Sequence, residues 1–456
     1  MPEVALKGET DLNLSKLIYE RLPSWLVERI ITIGDVVERK GWRIFVVGGF
    51  VRDLLLGRRN YELDVMVEGE GIYLAKALSE LFGAKLISHE QFMTAVLYMP
   101  DGTRIDIATC RKERYKHPAA LPEVEPATAE EDLHRRDFSI NAMAIDISKR
   151  RFGELLDVCG GMADLENGLI RVLHERSFID DPTRAFRAVR FEQRFSFSIE
   201  SNTMRLLKEA IESGMLSLLT PDRIKHEWIR ICSEENPEPH ILRMEELGML
   251  RWIDSSFGFR SHEQRSALSS IMSVEKRLEN SNVSYERWLL YFMPLLDGAT
   301  NEDIERVCKR YSISSKHLQV FLQLSSLGDV LERTRVKLPP STLKEILDHF
   351  GTEAIIYALA KAVSFGASYE MAKEQLFAYL ERYRHERPDI SGSDIIGAGI
   401  PAGPWIGTAL AEALKVKLDE GADRRRQLEV ALKVARKALA MMQHESQRSN
   451  TRSWEG

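Results

Sequence analysis

Apolar and polar positions recur with two different periods along this chain, and the change from one to the other divides it. Near the start Leu17, Leu22, Leu26, Ile30 and Ile31 follow helix-like spacing, with Pro23 at a helix start, so residues 1–40 read as helical. Short apolar runs then take over. Residues 42–47 and 63–67 read as buried strands, and residues 71–81 as a helix that Gly83 ends. Residues 94–99 and 104–108 flank Pro100-Asp101-Gly102, a turn pattern that predicts a hairpin. Residues 112–131 carry three prolines and no clear period, which predicts a mobile loop. Residues 137–147 read as a helix running into a strand.

From about residue 166 strand signals become rare. Residues 203–211 and 221–232 are amphipathic helices, the second with Thr220 as N-cap and Pro221 at its first position. The helical pattern then continues, broken by loops at 387–394 and 397–404, and the composition after about residue 443 predicts disorder. Segments therefore fall at 1–40, 41–165, 166–235, 236–385, 386–442 and 443–456. The expected fold is a mixed α/β sheet domain with helices, followed by an all-α remainder.

Composition narrows the function classes. At 456 residues the chain has room for several domains, and its net charge of −6 argues against a purely electrostatic nucleic-acid binder while permitting a local basic face. Cys110, Cys159, Cys232 and Cys308 are scattered with no C-x-x-C, so neither a zinc site nor a disulfide framework is expected, and a reducing cytoplasm fits. Met1-Pro2-Glu3-Val4 has no basic region before an apolar core, so no signal peptide is expected. No stretch approaches the roughly 18 apolar residues of a membrane helix.

The strongest chemical signal is Phe45-Val46-Val47-Gly48-Gly49-Phe50-Val51-Arg52-Asp53, with Glu62-Leu63-Asp64 after it. Gly48 and Gly49 let backbone N–H groups approach a phosphate, a helix N-terminus then faces the anion, and Arg52 can add a charge-assisted contact. Positions 62 and 64 of a strand share a face, where two carboxylates can hold Mg²⁺. The alternative is surface carboxylates at a strand end. Asp106, in Arg104-Ile105-Asp106-Ile107-Ala108, can complete the site or be an ordinary half-buried strand carboxylate.

Two further segments carry chemistry. Arg135 and Arg136, in His134-Arg135-Arg136-Asp137-Phe138-Ser139-Ile140-Asn141, can clamp a triphosphate or order the loop before them, and Asn141 can contact a ribose hydroxyl. His134 reads as a loop residue, since no second histidine stands at metal-ligand spacing. In Asp180-Asp181-Pro182-Thr183-Arg184-Ala185-Phe186-Arg187-Ala188-Val189-Arg190 an aspartate caps a helix with Pro182 in its first turn. Arg184 and Arg187 share a face, with Arg190 following. Asp181 and Arg184 stand at i, i+3, offering an acceptor beside a planar donor fork that can match the edge of a base. The plainer reading is a cap with an intrahelical ion pair.

These three motifs, in this order, resemble the class II tRNA nucleotidyltransferase and bacterial poly(A) polymerase family of the polymerase-β-like superfamily. The resemblance covers about residues 45 to 230, and residues 111–126 are similar to the branch that includes enzymes adding only the terminal A. It implies an α/β nucleotidyltransferase head at 41–165, a neck at 166–235, a helical body at 236–385 and a helical tail at 386–442. It further implies Mg²⁺ on Glu62 and Asp64, with Asp106 catalytic. Gly48, Gly49, Arg52, Arg136 and Asn141 would bind nucleotide. Asp181 and Arg184 would read the base without a template, with Arg187 and Arg190 beside them. The implied partners are a tRNA 3′ end, ATP and CTP. The family usually has Asp where Glu62 stands, which adds a methylene at a geometry-sensitive metal site. A general-RNA poly(A) polymerase and a catalytically silent RNA-binding relative are the competing readings. The positive run Lys415, Lys417, Arg424, Arg425, Arg426, Lys433, Arg436 and Lys437 is expected to grip tRNA or to be a solvated helix surface.

Overall fold

Buried apolar runs become strands here because helices cover the sheet they form. The structure, a computed structural model, describes residues 12–452. It divides into two compact units, Met1–Glu227 with Pro239–Ile253, and Trp228–Glu238 with Asp254–Gly456. The first opens with helices α1 (Ser15–Arg21) and α2 (Ser24–Glu38). Strand β1 (Ile44–Val47), helix α3 (Gly49–Leu56), strand β2 (Leu63–Val67) and helix α4 (Gly71–Phe82) follow. Gly83 ends α4 in the left-handed conformation, as its position predicts.

Strands β3 (Lys85–His89), β4 (Thr94–Tyr98) and β5 (Arg104–Thr109) come next, and β4 pairs antiparallel with β5 as the hairpin pattern predicts. After β6 (Arg111–Arg114), β7 (Glu123–Pro126) and helix α5 (Ala129–His134) come β8 (Ala144–Asp146), β9 (Leu155–Leu156) and helix α6 (Gly161–Glu166). The main sheet has seven strands in the order β3-β4-β5-β2-β1-β8-β9. Only β2 and β5 pair parallel; the other neighbours are antiparallel. Phe45, Val47, Met66, Leu133, Ala142 and Ala144 form a buried cluster on it. Helices α7 (Ser177–Asp180) and α8 (Thr183–Phe195) leave the sheet, and α8 is strongly amphipathic with Phe186, Val189, Phe191 and Phe195 buried.

Three expectations are corrected. Residues 112–131 are an ordered hairpin, β6 against β7, followed by α5, rather than a mobile loop. Side-chain bonds impose that order: Glu113 accepts from Arg135 at 2.6 Å and from Tyr115 at 2.7 Å, and Thr128 with Glu131 closes a capping box on α5. Residues 137–147 hold one 3-10 turn, Ser139–Asn141, before β8, and no α-helix. Asp137 takes the local backbone bonds by accepting from the Phe138 N–H at 2.9 Å. The last helix, Arg424–Arg452, runs on beyond residue 443, since no proline or glycine interrupts its sequence. Residues 453–456 of that expected disordered end lie outside the described residues.

The second unit is helical. Helices His262–Leu278, Arg287–Leu296 and Thr352–Ser364 pack together around Leu268, Ile271, Phe292, Ile355 and Leu359. Near its end Trp405–Glu420 pairs with Arg424–Arg452 over Ala409, Ala413, Ala431 and Ala435, whose small side chains allow close approach. In that run of cations Lys417 is an internal strut, donating to Asp389 and to the Arg387 carbonyl at 2.8 Å each, and Arg424 pairs with Asp394 at 2.7 Å. Lys415, Lys433, Arg436 and Lys437 stay exposed.

Gly161 opens α6 against the Ser139–Asn141 turn. A Cβ there would come within 2.2 Å of the Ser139 carbonyl oxygen, which is backbone and cannot yield. Gly161→Ala should therefore lower unfolding free energy by about 1–3 kcal/mol, measured by urea denaturation, with an equal loss from Gly161→Ser. Unchanged stability would mean the turn is not fixed against α6.

Candidate active site

The site begins where β1 ends. Gly48 sits at φ +70°, ψ −131°, a conformation side-chain-bearing residues avoid, and its N–H donates to the Met143 carbonyl at 3.2 Å. A Cβ on it would lie 3.0 Å from Arg136 Nη1 and 3.8 Å from Asp64 Oδ2. The turn thus brings a helix N-terminus, an arginine and a carboxylate to one point. Gly49 opens α3, whose first N–H groups have no partner within the helix.

The parallel pairing of β2 with β5 sets Asp64 opposite Asp106, and the β4–β5 register adds Val96 to that row. The next row on the same face is Met66, Ala108 and Thr94. This face lines an open cleft of about 440 Å³, with Arg104 and Arg136 at its walls. Burial, reinforced by the Asp106 charge and less by Glu62, pushes Asp64 up to about 6, while Arg136 opposes the shift. Asp106 accepts from Arg104 Nη2 at 2.6 Å. Glu62 is exposed and lies one residue before β2, with its N–H fixed by Asn60 Oδ1 at 3.0 Å.

The donor set suits a divalent cation. Two crowded carboxylates, one of them half-buried, gain by binding positive charge, and oxygen is the ligand such cations prefer. Among the described residues no three His, Cys, Asp or Glu side chains are grouped so that they could together hold a metal ion. A cation here would take at most two of these carboxylates at once, with the rest of its coordination sphere left to phosphate oxygens and water.

The arginines divide the remaining work. Arg52 is buried and forks onto Asp53 with two bonds of 2.9 Å, while its Nη1 donates to Asn141 Oδ1 at 2.6 Å. Asn141 Nδ2 donates to Asp137 Oδ1 at 3.1 Å, and Arg187 Nε donates to Asp137 Oδ2 at 2.8 Å. Asn60 closes the other end on Asp53 at 2.8 Å. The Arg52 guanidinium also lies 4.7 Å over the Phe195 ring. Burial works against the Asp137 charge, yet Arg187 holds that carboxyl down to about 2. Arg135 and Arg136 both bind the buried Asp132. Arg135 also reaches Glu113 and the Arg111 carbonyl, ordering the β6–β7 hairpin, while Arg136 leans over the cleft. The pair thus splits, Arg135 toward the hairpin and Arg136 toward the cleft.

Asp181 and Arg184 sit near one another without pairing. Asp181 Oδ1 accepts from the Thr183 N–H at 3.0 Å, a capping contact, and from Arg223 Nη2 at 2.6 Å. Arg184 is buried and donates to Ser177 Oγ at 2.6 Å and to the Arg135 carbonyl at 2.7 Å. Arg187 lies one turn along α8, and Arg190 stacks 4.9 Å over Phe191. Arg223, Asp132, Asp137 and Glu113 are site residues that sequence reasoning missed. Asp132 and Asp137 flank the arginine pair, a signal that was present; nothing in the local pattern ties Arg223 to Asp181. His134 is the last residue of α5 rather than a loop residue, and its Nδ1 lies 3.4 Å from Cys159 Sγ.

Comparison with known proteins agrees with this geometry. Residues 44–171 match the poly(A) polymerase head domain. The chain is 34% identical to an A-adding tRNA nucleotidyltransferase of Geobacter sulfurreducens over 92% of its own length and 48% of that relative. It thus spans about half of that protein. An A-adding tRNA nucleotidyltransferase of Halalkalibacterium halodurans is 29% identical over 86% of this chain and 88% of its own. A solved Thermotoga maritima CCA-adding enzyme complexed with tRNA-CCA superposes with a TM-score of 0.77 at 33% identity, covering 93% of this chain and 99% of that one. No helix among the described residues is long and apolar enough to cross a membrane. With the glycine turn, the carboxylate row and the three arginine motifs all in one unit, the chain belongs to the family of tRNA nucleotidyltransferases built on a poly(A) polymerase head.

Proposed function

We propose that this chain adds nucleotides to the 3′ end of tRNA without a template, completing the CCA end and releasing pyrophosphate. Its similarity to A-adding relatives favours the narrower form, addition of the terminal A from ATP. The carrying observation is the meeting of Gly48, Asp64 and Arg136 at the mouth of the cleft. Phosphates docked on the first turn of α3 face Arg136 and lie beside the carboxylate row. Mg²⁺ on Glu62 and Asp64, when bound, neutralises phosphate charge and orients the attacking hydroxyl. Asp106 completes the row. Arg52 and Asn141 hold the nucleotide-binding turn in place through Asp53 and Asp137. Asp181, with Oδ1 tied to Arg223, and Arg184 present a fixed acceptor and donor to the base, and Arg187 and Arg190 support them on α8. Exposed Lys415, Arg425, Arg426, Lys433, Arg436 and Lys437 of the last helix pair offer a phosphate-binding surface for tRNA.

The test uses tRNA ending before CC, before A, and complete, each with one nucleoside triphosphate at a time. We expect the tRNA ending in CC to gain one A from ATP and the complete tRNA to gain nothing. Asp181→Ala should relax the choice among the four triphosphates by about tenfold. Long tails on any RNA would favour a poly(A) polymerase, and no incorporation with any substrate would defeat the reading.

Asp64 makes a second prediction through its charge. Its folded pKa of about 6 lies above the ordinary 3.8, so ionising it costs the metal-free fold stability as pH rises from about 4 to about 6. Asp64→Asn removes that cost and the metal ligand together. At neutral pH without divalent ions the variant should be more stable than the native chain by about 1–2 kcal/mol, with the gap closing below about pH 4. Incorporation should be abolished at every pH. Equal stability at neutral pH would show that Asp64 is not held in a crowded, desolvated row.

A further inference from the structure

The loop between α3 and β2 carries a second feature outside the cleft. A pocket of about 330 Å³ is lined by Arg21, Leu54, Arg58, Arg59, Asn60 and Tyr61, among others. Arg21 Nη1 donates to the Leu54 and Leu55 carbonyls at 2.8 and 3.1 Å, capping the end of α3. Arg58 is exposed, and its guanidinium lies 4.9 Å over the Phe195 ring. Arg59 is exposed and forms no side-chain hydrogen bond or ion pair among the described residues. The carboxylates beside them are already occupied: Asp53 by Arg52 and Asn60, and Glu20 by Lys16. Glu62, the exposed exception, is assigned to the metal. Arg58 and Arg59 thus line the pocket with no ion pair to a carboxylate among the described residues, beside Arg21, whose guanidinium is held by the α3 carbonyls.

Aromatic surface adjoins them. Tyr61 is 40% exposed and Trp25 39%, and their rings meet edge to face at 5.9 Å. Unpaired guanidiniums beside exposed rings fit a single-stranded nucleic acid, whose phosphates take the charges and whose bases stack. The loop is also rigid, since Asn60 bonds to Asp53 and to the Glu62 N–H. It leads within a few residues into Asp64.

We propose that Arg21, Arg58 and Arg59 with Tyr61 form a docking surface for the single-stranded segment of the RNA just upstream of the nucleotide being extended. This rests on the reading that the substrate is an RNA 3′ end. The role is positioning: the surface fixes the strand while the cleft holds the reacting atoms. Charge on Arg58 and Arg59 supplies affinity, and Tyr61 supplies a stacking platform that tolerates any base.

The test is fluorescence anisotropy of a labelled single-stranded RNA ending in CC, bound by the full chain in EDTA over a salt series. Arg58→Glu/Arg59→Glu should weaken binding by at least about tenfold at low salt and flatten the log–log salt slope by about 1.4, the value for two lost phosphate contacts. Tyr61→Leu should weaken binding by about five- to tenfold, and Tyr61→Phe should restore it. ATP binding and far-UV circular dichroism should stay at native values in all of them. Arg59→Ala, a milder change on an exposed side chain, covers the case in which the charge reversal disturbs the fold, and should flatten the slope by about 0.7. Native affinity and slope in the variants would overturn the proposal while leaving the tRNA reading intact. Failure of the native chain to bind the RNA would overturn both.

Discussion

One buried chain of polar side chains holds the site together. It runs Arg187–Asp137–Asn141–Arg52–Asp53–Asn60, through bonds of 2.6 to 3.1 Å. Its members come from α8, the segment ahead of the Ser139–Asn141 turn and the turn itself, α3, and the loop into β2. Each charge is matched by an opposite charge or an amide, which is the condition under which buried ions are tolerated. Removing one member would strand the next in a low-dielectric interior, a cost of about 3–5 kcal/mol for a buried pair. The chain therefore ties the glycine turn, α3 and α8 together. Preorganisation of this kind lets a site keep its shape whether or not a ligand is bound.

The carboxylate row works in the opposite sense. Parallel pairing of β2 with β5 forces Asp64 and Asp106 side by side, and burial of Asp64 makes its charge expensive. Arg104 and Arg136 offset part of that cost. A fold tuned only for stability would place an amide or an apolar residue at position 64. The fold instead keeps a destabilised carboxylate where phosphate and a cation can relieve it, the expected trade at a catalytic centre.

Much of this was legible in the sequence because it is local. The glycine pair after an apolar run, the Pro100-Asp101-Gly102 hairpin and the Gly83 cap each write their geometry into a few adjacent residues. Pairings between distant residues were not legible. Arg187 meets Asp137 across 50 positions, and Arg223 meets Asp181 across 42, distances at which periodicity carries no information. The i, i+3 spacing of Asp181 and Arg184 suggests an ion pair, yet each finds a better-placed partner outside its own helix. The β6–β7 hairpin escaped for a related reason. Its prolines mask the strand pattern, and its order comes from Arg135 binding Glu113.

The central claim is that Arg52, Asn141, Asp137 and Arg187 act as one unit that positions the nucleotide. A double-mutant cycle on Asn141→Ala and Arg187→Ala, read both as urea-unfolding free energy of the unliganded chain and as ATP affinity, tests it most directly. The buried chain predicts that each single change lowers stability and ATP affinity together. The two losses should be strongly non-additive, with a coupling of about 1–3 kcal/mol. Additive losses in ATP affinity with native stability in the unliganded chain would contradict it, and would make these side chains independent contacts to the substrate.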